Sequence, residues 1–354
     1  MKHALAALLN IRHPLIQAPM AGGPTTPALV AAISNAGALG SIGAGYLAPD
    51  ALERTITAVR AASDQPFGVN LFVPGPCTRD AARVASANAH MAEFRQELGI
   101  EAPSAIDDIA PDFEAQFEAV LDAAPTLVST TFGALTGAQV DRLQTAGCRV
   151  AGTATTVAEA RHLEATGVDA VVAQGFEAGG HRGSFLDDFE RSAVGTLALV
   201  PQIVDAVRLP VIASGGIMDG RGIAAAHCLG AAGVQMGTAF LATDESGAKP
   251  EHKSALPGAA DTATTLTAAF SGKPARGLRN RFIEAFVHHV DPLPDYPEQN
   301  AWTKDIRAAA AAQHRPEFMS LWAGQAAGMT RPMPASELVA TLIKEAHALI
   351  PGCI

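Results

Sequence analysis

Clusters of positive charge are missing from this chain. Its 25 Lys and Arg stand against 35 Asp and Glu, a formal charge of −10, and no run of basic residues stands out. A nucleic-acid binder carries a basic face, so nucleic acid is excluded as a partner. Cysteine is sparse as well: Cys77, Cys148, Cys228 and Cys353 lie far apart and form no CxxC pair. Neither a zinc site nor a disulfide framework is expected, and Cys148 and Cys228, in apolar surroundings, read as small core residues. No apolar stretch reaches the ~18 residues of a membrane helix. The first apolar run, Ala4 to Leu9, is short for a signal peptide, and no small-residue cleavage site follows it. A soluble, cytoplasmic protein without membrane contact is expected. Aromatic rings are few too, with only two tyrosines (Tyr46, Tyr296) and two tryptophans (Trp302, Trp322).

What the chain has instead is apolar side chains, at 48%, and 33 glycines. Short runs of Val, Ile and Leu recur at 15–19, 38–42, 67–73, 126–130, 148–152, 169–174, 210–214 and 233–237. Alanine-rich pieces with helical spacing lie between them, at 26–37, 50–62, 136–147 and 156–167, and several end in glycine just before the next run. Continuous apolar strands alternating with helices predict a parallel sheet covered on its outside. Eight such units predict an α/β fold of the (β/α)8 TIM-barrel type with an inserted cap region for substrate. The expected organisation is a barrel over 1–241 with an insertion at about 75–115, a cap over 242–301 without a strand–helix repeat, and helices over 302–354 packing back on the barrel.

Chemistry in such barrels sits at the C-terminal ends of the strands. Here those ends read "APMAGG", "GSIGAGY", "GVNLFVP", "QGFEAGGHRG", "ASGGIMDGRG" and "MGTAF". In the last two, Ser214, Gly215, Gly216, Gly237 and Thr238 offer backbone N–H groups and hydroxyls on neighbouring loops, which together predict a phosphate cradle. No GxGxxG opens a βαβ unit, so a mononucleotide fits better than a dinucleotide. Met20, Asn70 and Gln174 stand where a flat ring would lie, and Asn and Gln offer both donor and acceptor to its edge. Each also has a plain structural reading, as core filler, strand-end cap and surface amide, and their convergence is the case for a ring.

These residues carry a family resemblance. The chain resembles the class I nitronate monooxygenases, formerly called 2-nitropropane dioxygenases, which are FMN-dependent barrels. The likeness runs nearly end to end, through "QAPMAGG", "SNAGALGSIGAGY", "GVNLFVP", "AQGFEAGGHRG", "ASGGIMDGRG", "GTAFLATDES", "SGKPARGLRN", "YPEQN" and "LWAGQ", in the family's order. It implies FMN held by Met20, Ala21, Gly22, Asn70, Gln174, Gly179, Gly180, Ser214, Gly215, Gly216, Gly237, Thr238 and Gln325. It implies His181 as the catalytic residue beside the bound nitronate, and a substrate pocket at Tyr296, Asn300, Lys304 and Phe113. Some members carry tyrosines where this chain has Asn300 and Phe113, so its pocket is less phenolic.

The implied reaction is oxidation of an alkyl nitronate such as propionate 3-nitronate by dioxygen, giving a carbonyl compound and nitrite. His181 would hydrogen-bond the nitro group or move a proton, and Lys304 would add positive charge. Arg182 is expected to tie its loop to Asp187 or Asp188. His3, His90 and His252 are expected to be solvated or structural, and no metal is expected. The partners are then a small nitronate or nitroalkane and dioxygen, with a homodimer as the candidate assembly. Two alternatives stand beside this reading: an FMN-dependent NAD(P)H enoyl or quinone reductase of the same superfamily, and a non-enzymatic barrel that binds a phosphate ligand. A barrel like inosine-monophosphate dehydrogenase needs a cysteine at the mouth; Cys148 begins a strand and Cys228 lies in a helix, so that reading fails.

Overall fold

Segments whose side chains are buried on both faces can form strands only inside a covered sheet. Eight do so here. The computed structural model describes residues 4–351, so Cys353 lies outside them. Its strands are β1 (Leu15–Gln17), β2 (Gly40–Gly43), β3 (Phe67–Phe72), β4 (Leu127–Thr131), β5 (Arg149–Ala154), β6 (Ala170–Gln174), β7 (Gly180–His181), β8 (Val211–Ser214), β9 (Gly233–Met236), β10 (Thr264–Thr267) and β11 (Ala275–Leu278). Eight of them pair in parallel in the order β1–β9–β8–β6–β5–β4–β3–β2. Leu39 closes the ring: its N–H donates to Leu15 O, and its carbonyl accepts from Gln17 N, both at 2.9 Å. This is the (β/α)8 barrel that the eight apolar runs predict.

The helices between strands start and stop on local signals. Thr26 accepts from Leu29 N ahead of Pro27–Asn35, and Thr136 and Gln139 form a reciprocal cap at Gly137–Thr145. Gly37, Gly147 and Gly167 follow their helices with φ of 89°, 93° and 90°, a left-handed turn that glycine makes without strain.

Two features depart from the sequence reading. The stretch after β6 and the segment 242–301 contain strands: β10, β11 and β7 form a small antiparallel sheet in which Ala275 pairs with His181 and Arg276 with Gly180. These strands are two to four residues long and rich in Thr, Gly and Arg, so they carry no apolar period. The second concerns Cys228, which is exposed at the end of Gly220–Cys228 rather than buried; that helix turns Ile223 and Ala224 inward, and Cys148 alone of the pair is in the core.

A second core stands over the C-terminal mouth of the barrel. Phe94, on the helix Ala81–Leu98 of the insertion, meets Phe282 and Phe318 with ring centroids at 5.3 and 5.6 Å, and Phe270 stacks on Phe282 at 4.4 Å. All four rings are buried, each contributing about 1.5–3 kcal/mol of transfer free energy. Buried Arg95 locks the insertion in place through Asp305 at 2.7 Å and the Trp302 carbonyl at 2.8 Å. The last helix, Ala335–Leu349, packs instead on the barrel wall, where a Cβ at Gly220 would lie 2.3 Å from Glu345 Cβ. The mouth thus has a lid built from the insertion and from residues well after β9.

Candidate active site

Beneath that lid the strand ends enclose a cavity of about 980 Å³. Most of the residues singled out by sequence meet there. Met20, Ala21 and Gly22 follow β1, Asn70 stands on β3, and Gly179, Gly180 and His181 come from the loop and short strand after β6. Ser214, Gly215, Gly216, Gly237 and Thr238 line the floor at β8 and β9, with Asn300 and Lys304 across from them.

The floor is a glycine cradle. Gly215 and Gly216 take φ of +116° and +71°, and a Cβ on Gly215 would come within 3.0 Å of Thr196 Oγ1. Among the described residues the N–H groups of Gly216 and Gly237 find no protein acceptor. The Thr238 hydroxyl accepts from Gly324 N at 3.0 Å, which ties the "LWAGQ" segment to the cradle and keeps its own proton free. The helix that follows, Thr238–Leu241, has four residues, so free amides rather than a long helix dipole are what the floor could offer an anion. Asn70 spends its amide protons on Ser129 Oγ (3.0 Å) and Thr131 Oγ1 (3.3 Å), leaving Oδ1 as the acceptor at the wall. Anion donors on the floor and an acceptor on the wall are the donor set a phosphorylated ring compound needs.

His181 stands above the floor on β7. The rings of Phe132, Tyr296 and Trp322 surround it, each with its centroid 5.6 Å away. Its Nε2 lies 2.9 Å from Ser271 Oγ, and Ser271 donates its single hydroxyl proton to Lys273 O at 3.0 Å. Nε2 therefore carries the imidazole proton, and Nδ1 is left with the lone pair. Burial first, then the charges of Lys273 and Arg307, pull its pKa down to about 3, so the ring is neutral near pH 7.

This geometry sets the context for sequence comparison. Residues 2–345 match the family model described as nitronate monooxygenase. The chain belongs to the nitronate monooxygenase family. It is 42% identical over 348 residues to a probable nitronate monooxygenase of Staphylococcus saprophyticus, covering 98% of each chain. It is 43% identical over 350 residues to one of Staphylococcus aureus, covering 99% of this chain and 98% of the relative. Among solved structures, nitroalkane oxidase from Streptomyces ansochromogenes superposes with a TM-score of 0.90 at 41% identity, covering 98% of both chains. FabK from Thermotoga maritima follows at 0.76 and 30% identity, covering 98% of this chain and 96% of its own. As a member of this family the protein is an oxidoreductase. No helix among the described residues is long and apolar enough to cross a membrane.

Four residues assigned to the site by sequence stand outside the cavity wall of this nitronate monooxygenase family member. Gln174 donates to His181 O at 3.0 Å and accepts from Gly183 N at 2.8 Å, so its amide holds the histidine's loop. Gln325 is exposed, with its N–H on Glu177 O at 3.0 Å, while its neighbours Gly324 and Ala326 reach the wall. Phe113 opens the helix Phe113–Ala123 and packs toward the barrel beside Phe117; the preceding 108–112 loop lines the cavity instead. Tyr296 stands behind the wall, half-buried, with its ring on His181 and its hydroxyl bonded to Tyr46, and burial raises its pKa.

The loop is clamped more heavily than its glycines imply. Buried Arg182 donates to the carbonyls of Gln174 and Ser192, not to Asp187 or Asp188, and burial lowers its pKa to about 10. Glu159, fully buried, accepts from Thr155 N and Oγ1 at 2.6 Å on one oxygen and from Phe185 N (2.6 Å) and Leu186 N (3.1 Å) on the other. His252 is structural, bonded to Trp322 O at 3.1 Å, but it also lines the cavity.

Sequence reasoning missed Arg307 at the site. It stands on the helix Lys304–Ala312 and lines the cavity, with Nη2 donating to Asn300 O (2.6 Å) and Asn300 Oδ1 (2.9 Å). Positions 300, 304 and 307 follow the i, i+4, i+7 spacing of one helical face, a pattern that becomes legible once Asn300 and Lys304 are picked out.

Proposed function

We propose that this protein is an FMN-dependent nitronate monooxygenase that oxidises alkyl nitronates, propionate 3-nitronate among them, with dioxygen to a carbonyl compound and nitrite. The observation that carries this reading is the neutral, single-tautomer His181 above a glycine cradle with free N–H groups. Gly215, Gly216, Gly237 and Thr238 would hold the FMN phosphate, and Met20, Asn70 and the Gly179–Gly180 backbone its ring. FMN supplies the electron chemistry when bound.

The chain's own residues bind and orient the substrate. A nitronate arrives already deprotonated, so it needs hydrogen-bond donors and positive charge more than a strong base. A histidine with its pKa depressed to about 3 is a weak base, which matches a nitronate better than a neutral nitroalkane. Lys304 adds positive charge at the outer wall. The lid over the mouth, built on Phe94, Phe282 and Phe318, limits water around the anion and strengthens each of these contacts.

The purified protein should be yellow, with a flavin absorbance spectrum, and should release nitrite from a nitronate in air. Rapid anaerobic bleaching by NADH, without nitrite release, would favour the reductase reading. A colourless protein that takes up no FMN would favour a non-enzymatic barrel.

A further inference from the structure

We infer that Arg307, steered by Asn300, is the residue that selects among nitronates by reading a second anionic group, a carboxylate carried on the substrate's carbon chain. This rests on the proposed nitronate reaction and names the residue that sets its selectivity.

Arg307 is a cavity-wall cation whose own hydrogen-bond acceptors carry no charge. Its acceptors are neutral and all come from the 300–303 turn: Asn300 O at 2.6 Å, Asn300 Oδ1 at 2.9 Å and, more weakly, Thr303 O at 3.4 Å. Among the described residues it forms no ion pair, and Nη1 takes no protein acceptor. The one carboxylate whose charge reaches it, Asp305, is held by Arg95 at 2.7 Å. The buried Arg182 and Arg276 differ in that the carboxylates offsetting their charge, Glu159 and Glu177 for the first and Glu177 for the second, are not already paired to another arginine as Asp305 is.

The rest of the wall points the same way. Its other cationic side chains, Lys249 and Lys304, are exposed, and its two carboxylates, Asp108 and Asp112, sit on an exposed loop where Asp112 caps Ala115 N at 3.1 Å. Tyr46, which lines the cavity, and Tyr296 lie within electrostatic reach of the guanidinium, and His181 feels its charge as well. His181 and Arg307 line the same cavity, so a substrate with its nitronate at His181 can extend its carbon chain toward the guanidinium. With Nε and both Nη2 protons committed to the 300–303 turn, the two N–H groups of Nη1 remain to donate a charge-assisted hydrogen bond to a carboxylate, and Asn300 fixes their direction by holding Nη2.

The test compares propionate 3-nitronate with butyl-1-nitronate, a chain of similar length without the carboxylate, on the flavin-bound protein. Wild type should favour the carboxylate-bearing nitronate in kcat/KM. Arg307→Met should shrink that preference ~10–100-fold, through KM more than kcat, the scale of losing a charged hydrogen-bonded pair. Asn300→Asp keeps the arginine but supplies an internal counter-charge, and should shrink the preference in the same direction. A preference unchanged in both variants would overturn the inference, as would equal losses for both substrates. Release of flavin by Arg307→Met would overturn it too, since the arginine would then hold the cofactor. If neither nitronate is turned over, the proposed function fails, and calorimetry with succinate and butyrate decides this point separately. Wild type should bind succinate at least ~10-fold tighter, a difference lost in Arg307→Met; no discrimination in wild type would again overturn it.

Discussion

His181 Nε2 lies 2.9 Å from Ser271 Oγ, and the same hydroxyl donates to the carbonyl of Lys273 at 3.0 Å. The chain of two bonds leaves one tautomer available to the imidazole and keeps the ring upright among three aromatic side chains. Ser271→Ala should therefore lower kcat on a nitronate about 5–10-fold, the scale of one net hydrogen bond, with flavin content preserved. Turnover equal to wild type would show that the aromatic box alone orients the ring.

The depressed histidines make stability depend on pH in a definite direction. His181 and His252 have folded pKa values of about 3 and about 4 against an unfolded value of 6.5, and burial is the first cause of each. Between those values the unfolded chain binds more protons than the folded one, so stability falls as pH drops from about 6.5 toward 4, by up to about 1.4 kcal/mol per pH unit for each histidine. Thermal melts of wild type and His252→Asn between pH 7 and pH 4 should show a shallower slope in the variant. Parallel curves would mean that His252 does not titrate in this way.

The cradle should be intolerant of a single methyl group. Gly215 sits at φ +116°, with Thr196 Oγ1 only 3.0 Å from where a Cβ would go. Gly215→Ala should strain the backbone by about 1–2 kcal/mol and reduce the flavin retained after purification. Normal flavin content in that variant would remove the β8 end from the phosphate site.

The lid depends on the insertion. Phe94 is fully buried between Phe282 and Phe318. Phe94→Ala should cost about 3–5 kcal/mol if the whole chain unfolds as one unit, measured by denaturant titration. A much smaller loss, with faster hydrogen exchange confined to the helix Ala81–Leu98, would show instead that the lid opens on its own.

The parts of the molecule legible in the sequence are those where a residue type has few physical uses. Runs such as "DAVVAQ" are apolar on both faces because both faces are covered, which is why eight of them spell out the barrel. Adjacent glycines at Gly215 and Gly216 mark a backbone that bends where a side chain does not fit. Strands β7, β10 and β11 are invisible in the sequence because two to four residues, mostly Thr, Gly and Arg with no more than one Ala and one Leu in a strand, are too few to show a period. Gln174 reads as a cofactor amide because an amide can face a ring, and its bonds to the backbone of its own loop are not legible in the sequence because an amide serves either partner equally well. Arg307 is hidden because a lone arginine in an alanine-rich helix looks like a solvated one until Asn300 is seen on its guanidinium.

The most direct measurement is nitrite release from propionate 3-nitronate in air, followed in parallel for wild type and His181→Asn, with the flavin absorbance of each recorded. The expected result is a yellow, active wild type and a variant equally yellow but slower by about 100-fold or more. A wild type that binds flavin yet forms no nitrite, or a variant as fast as wild type, would contradict a catalytic role for His181 and its cavity.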